Sequence, residues 1–359
     1  MSTPTDNLHL PDPADASGSS GEDAVVIGPG AATGIGSWPG TDVLDTMRVV
    51  FGELGDPPAI PHLPELPGRG PGADMIGRGA GLLVDMPVDL QPSGWRLVDH
   101  PGRDHSRTRS WLRQDLDVLA EVADGYEGLL KVQVTGPWTL AANLWLPRLE
   151  RVVVDKGACR DVIASLAEGV TQHLQEVQRL VPKARLVLQV DEPSVQSVLD
   201  GSLPTASGFG RLRAVDGPVV IEGLRAVLEA ATAAGAVRTV LHCCASKPPV
   251  DVLIRSGASA LSLDLSQLGT QRWEQVAEAT ENGLGLWAGA VPTASGLKPA
   301  AVADAVWNPW RRLGLDPRSI ADVVVTPSCG LAGSSPQQAR SALKVAREAA
   351  RILSEKAYE

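Results

Sequence analysis

The sequence is short of cysteine, of phenylalanine and tyrosine, and of positive charge. Its 359 residues hold four Cys, two Phe and two Tyr, and 32 Lys and Arg stand against 42 Asp and Glu, a formal net charge of −10. Four thiols are too few for a disulfide framework, so the cysteines are read as free thiols of a reducing, cytoplasmic setting. The acidic balance repels phosphates and argues against nucleic-acid binding as the main role. No apolar run approaches the roughly 18 residues of a spanning helix, and the N-terminus has neither a basic n-region nor an apolar h-region, so no membrane association is expected. No G-x-G-x-x-G follows any expected strand, which leaves a dinucleotide site without support.

What is present is a 43% apolar, 21% charged chain, the profile of a globular protein with an acidic surface. Its length suits two average domains or one α/β barrel. Residues 1–23 carry five acids, no Lys or Arg, and much Pro, Ser and Gly, and are read as a disordered acidic tail ahead of a single domain over 24–359. Beyond them, short β-branched or Leu-rich runs alternate with amphipathic stretches. Strands are expected at 33–37, 82–86, 130–135, 186–191, 239–242, 260–264, 286–289 and 322–326, with helices at 161–180, 222–234, 273–281, 300–313 and 336–354. Eight strands joined by helices predict an α/β fold, a single (β/α)8 TIM barrel. A Pro/Gly-rich stretch at 56–81 is read as a long loop able to cover an active site.

A barrel places its chemistry at the C-terminal ends of the strands. Those ends carry Ser37, Asp191 and Glu192, His242 and Cys244, Asp264, and Cys329 in the following loop. His242 and Cys244 are two apart, so strand alternation puts them on one face and Cys243 on the other. With Cys329 they make the mixed nitrogen and sulfur set that zinc favours, and Asp264 either adds a fourth ligand or leaves an exchangeable position. Asp191 has a second reading as the N-cap of the turn after its strand. Cys159, in a helical stretch, is read as core. The Arg103, Arg107, Arg109 and Arg113 cluster is read as a solvated helix face, and Trp138 and Trp145 as packing residues.

Five motifs, GIGSWPGT at 34–41, TGPWTL at 135–140, LQVDEP at 188–193, LHCC at 241–244 and TPSCGL at 326–331, resemble in order and spacing the catalytic C-terminal domain of cobalamin-independent methionine synthases. That family belongs to a superfamily shared with uroporphyrinogen decarboxylase and corrinoid methyltransferases, and the resemblance covers most of residues 31–352. It implies Zn2+ held by His242, Cys244 and Cys329, with Asp264 standing where the family has Glu. It also implies homocysteine contacts at Ile35 and Ser37, with Asp191 receiving the amino group. The implied reaction is methyl transfer to the homocysteine thiol, giving methionine, from methyltetrahydrofolate or a methylcorrinoid protein. The chain departs from the family in having room for one barrel rather than two. Ser197 replaces a second acid after the DEP motif, and no His follows the seventh strand in GLWAGAVPTAS. Two other readings stand beside this one: a corrinoid-dependent methyltransferase acting on another thiol, and a degenerate, non-catalytic barrel that binds zinc or a small molecule.

Overall fold

A computed structural model describes residues 27–148, 150–293, 296 and 298–359; the expected acidic tail at 1–23 lies outside them. Six parallel strands form one curled sheet in sequential order: β3 (Leu129–Thr135), β4 (Arg185–Asp191), β5 (Arg238–Cys243), β6 (Ala260–Asp264), β7 (Gly285–Val291) and β8 (Val324–Pro327). A separate antiparallel hairpin, β1 (Val88–Gln91) and β2 (Gly94–Leu97), precedes them. The helices are α1 (Val43–Leu54), α2 (Met75–Leu82), α3 (Arg103–Val122), α4 (Pro137–Asn143), α5 (Lys156–Leu180), α6 (Val195–Asp200), α7 (Gly217–Ala233), α8 (Val250–Arg255), α9 (Thr270–Glu281), α10 (Pro299–Arg312) and α11 (Pro336–Lys356). Helix starts follow local chemistry. Asp155 accepts from the amides of Gly157 and Ala158 to open α5, and α11 begins with Pro336 inside a Ser335/Gln338 capping box.

Six of the eight expected strands are present; the first two are not regular strands. Segment 32–37 pairs only through single parallel bridges, Ala32 with Val325, Thr33 with Ile60 and Ser37 with Glu65, and His62 bridges Lys131 of β3. The expected strand at 82–86 is absent. Leu82 ends α2, which Asp74 opens by accepting from the Gly77 amide, and Asp85 has φ +56°. Segment 60–65, inside the stretch expected to be a covering loop, lies beside β3 instead. Pro61 and Pro64 have no N–H, so this segment cannot sustain a ladder. What survives is a set of isolated bonds, including Ile60 N to Ala32 O at 2.9 Å, Leu63 N to Lys131 O at 3.0 Å and Glu65 N to Gly36 O at 3.1 Å.

The two faces of the sheet differ. Leu130, Val132, Val134, Leu186, Leu188, Val190, Leu261 and Leu263 face the helices in the main core. On the other face Leu129, Val187, Val240, Ala260, Trp287 and Val324 form a second apolar cluster at the strand starts. Two residues further along, that face becomes buried and polar, with Lys131, Gln189, His242, Ser262 and Thr326. Buried parallel strands are normally apolar throughout, so a polar layer toward their C-terminal ends marks that end as the site. Elsewhere Cys159 is buried with Sγ 3.4 Å from Val152 O, Trp138 is buried with Nε1 bonded to Val220 O, and Trp145 stacks under Arg151. The four arginines of α3 are exposed.

Buried His173 of α5 makes acid stability testable. Burial, then the Arg78 charge, pushes it down to about 4 from 6.5. Between those values the unfolded chain binds a proton that the folded chain refuses, so stability falls as pH falls, by about 1.4 kcal/mol per unit at most. Urea midpoints at pH 7 and 5 should therefore converge in His173→Gln relative to the parent; an equal pH dependence in both proteins would refute this.

Candidate metal and thiol site

Three of the sequence-predicted residues converge where strand ends meet the loops beyond them. The ligand atoms of His242, in β5, Cys244, just past it, and Cys329, between β8 and α11, all lie within 4.8 Å of one another. The two sulfurs are 3.1 Å apart. Cys243 points the other way into the core, where burial pushes its thiol up to about 12, as strand alternation requires.

The imidazole is oriented from behind. His242 Nδ1 lies 3.2 Å from Ser262 O and 3.0 Å from Ser262 Oγ. A carbonyl oxygen only accepts, so Nδ1 carries the proton and Nε2 presents its lone pair. Nε2 is buried and has no hydrogen-bond partner. The hydrogen bond between the two sulfurs holds Cys329 down and raises Cys244. The two sulfurs share one hydrogen bond, in which either can be the donor. A bare imidazole nitrogen and two sulfurs facing one point form a donor set for a borderline-soft cation such as zinc, with the outer hydrogen bond that metal-ligating histidines use.

Asp264 does not join this cluster. Its Oδ1 accepts from Ser266 N at 3.0 Å and Ser266 Oγ at 2.7 Å, capping a short 3-10 turn. The three-residue set therefore stands without a carboxylate from β6.

Asp191 ends β4 directly across from His242 in the parallel register. It is buried and accepts from Gln189 Nε2 at 2.7 Å; burial raises it to about 6 against the pull of Lys131. It caps no helix. That role belongs to its neighbour Glu192, which accepts from Trp138 N (2.9 Å), Thr139 N (2.8 Å) and Thr139 Oγ1 (2.7 Å) at the start of α4. Adjacent carboxylates thus divide, one facing the site and one securing the TGPWTL turn.

Ile35 and Ser37 lie on the bridged segment at the same end. Ser37 O accepts from Leu331 N at 2.9 Å, and a Cβ on Gly330 would come within 2.0 Å of Ser37 Oγ. Glycine after Cys329 is what permits this approach. Ile35 O accepts from Lys131 Nζ at 2.7 Å and Gln189 Nε2 at 2.8 Å.

Sequence reasoning missed four residues. Lys131, Gln133 and Gln189 alternate with apolar residues in LKVQVT and LQVD, a period-2 polar face that signals a lined interior. Glu65 left no such signal, because its segment does not read as a strand. It is buried and held 3.3 Å from Arg78 Nε, and Arg78 also pairs with Asp115, which Arg69 binds at 2.7 Å. The Glu65 charge helps to raise Asp191.

No curated protein sequence matches. Among solved structures, a B12-independent methionine synthase from Shewanella sp. W3-18-1 is 17% identical over 67% of this chain and 66% of that one, just under two-thirds of its length, with TM-score 0.47. The carboxyl transferase domain of Rhizobium etli pyruvate carboxylase (13% identity, 67% and 44% covered, TM-score 0.25) and a mandelate oxidase (14%, 88% and 93%, TM-score 0.29) are also similar. The family model for the catalytic domain of cobalamin-independent synthase matches residues 133–352, more than half the chain, from β3 through α11. The chain belongs to the cobalamin-independent synthase catalytic-domain family.

Proposed function

We propose that this protein is a zinc-dependent S-methyltransferase of the methionine synthase type, with homocysteine as the methyl acceptor. The observation that carries the reading is the convergence of His242, Cys244 and Cys329 within 4.8 Å, with His242 Nε2 bare, beside Asp191. Segments 32–37 and 60–65 are read as the first two strands of a closed eight-fold barrel, and 24–359 as one cytoplasmic domain.

When bound, zinc supplies a Lewis acid that favours the thiolate form of a substrate thiol at neutral pH. The rest falls to the chain. Ser262 keeps the His242 Nδ1–H in place, so the ring always offers Nε2. Cys244 and Cys329 would hold the metal as thiolates, giving their shared proton to solvent. Asp191 accepts the substrate ammonium, and Ser37 with the backbone around Ile35 receives the remaining polar end, so that binding energy is converted into orientation of the sulfur. No His follows β7 to protonate a leaving folate nitrogen, which favours a methylcorrinoid donor over methyltetrahydrofolate.

Elemental analysis of untagged protein, with zinc X-ray absorption before and after L-homocysteine, tests this. About one zinc per chain and a rise in sulfur scattering with homocysteine are expected. Zinc without any response to homocysteine would point to another thiol as acceptor, and absence of zinc after supplementation under reducing conditions would leave a degenerate barrel.

A further inference from the structure

Among the described residues Lys131 is the largest charged side chain fully removed from solvent, and the proposed mechanism gives it no role. It stands on the interior face of β3, one layer below the site. Its ammonium donates to Ile35 O at 2.7 Å and to Gln133 Oε1 at 3.2 Å. Gln189 reaches the same Ile35 carbonyl from β4, at 2.8 Å, while also donating to Asp191. One backbone carbonyl therefore takes two buried donors, and one of them also bonds the carboxylate proposed to receive the substrate ammonium. A lysine is costly to bury unless its charge is compensated. Burial pushes Lys131 down to about 7, and the charges opposing that are Asp191 first and Glu65 second. The same lysine in turn lowers Asp191.

We infer that Lys131 is a positioning residue that fixes the 33–37 segment to the floor of the site and balances the charge of Asp191 and Glu65, so that the site selects thiols bearing an α-amino group. The substrate part of this inference rests on the proposed homocysteine reading; the anchoring part does not. Two consequences separate. Lys131→Met removes both donor and charge, whereas Lys131→Gln keeps an N–H donor and removes only the charge.

The test uses the zinc-supplemented full-length protein and both variants, with hydrogen exchange of peptides covering 31–40 and calorimetric binding of L-homocysteine and 4-mercaptobutanoate, which lacks only the amino group. Exchange in 33–38 should quicken about tenfold in Lys131→Met and less in Lys131→Gln. The parent should prefer homocysteine by at least about 100-fold, and both variants should lose most of that ratio while binding 4-mercaptobutanoate within about threefold of the parent. A merely structural lysine would weaken both ligands alike and leave the ratio unchanged, which overturns the inference. If the parent binds neither thiol, the homocysteine reading falls with the selectivity part, and exchange alone decides the anchoring: unchanged rates in Lys131→Met refute it. Should Lys131→Met fail to fold, the lost ratio in Lys131→Gln still decides the charge role.

Discussion

Cys329→Ser is expected to empty the site of metal and abolish methyl transfer while leaving the protein folded. Serine is nearly isosteric but keeps its proton at neutral pH, so it replaces a thiolate ligand with a neutral hydroxyl. Two donors then remain, His242 Nε2 and the Cys244 sulfur, fewer than the three protein ligands of a catalytic zinc site. Zinc content should fall from about one to below about 0.1 per chain after dialysis, with methyl transfer falling by at least about 1,000-fold. The melting temperature of the apo protein should shift by less than about 4 °C, because Cys329 is half-buried in a loop and belongs to neither apolar cluster. Retention of stoichiometric zinc by the variant would show that these residues are not the metal site.

Asp191→Asn should have the second largest effect, and on a different quantity. The amide preserves shape and still accepts from Gln189 Nε2, so folding and zinc content should be unchanged. What is lost is the charge proposed to meet the substrate ammonium in a buried setting. Removing one partner of such a pair costs about 2–5 kcal/mol, or roughly 30- to 5,000-fold. The loss should fall mainly in KM for homocysteine, with kcat much less affected. Equal kcat/KM in parent and variant would remove Asp191 from substrate recognition.

The order of six strands was legible because each is a short apolar run between amphipathic helices, and those runs are buried on both faces. The first two positions were not legible for a local reason. The run at 82–86 has strand composition but follows a helix that Asp74 nucleates, whereas 60–65 has strand placement but two prolines that remove its ladder donors. Composition reports propensity, and here tertiary pairing overrode it.

The site divides along the same line. That His242 and Cys244 share a face and Cys243 does not is fixed by chain geometry alone, since successive strand residues must alternate. The residue types of the donor set were equally plain from the motifs. Which groups meet in space was settled by folding. Cys329 arrives from 85 residues away to lie 3.1 Å from Cys244, while Asp264, on the neighbouring strand, turns to Ser266. Glu65 enters from a proline-broken segment with no strand signature, guided by the buried Arg78–Asp115–Arg69 pairing. The physical reason is that periodicity dictates direction only within a regular element. At strand ends and in bridged segments, direction is decided by whichever hydrogen bond or ion pair a side chain can complete once the rest of the chain is in place.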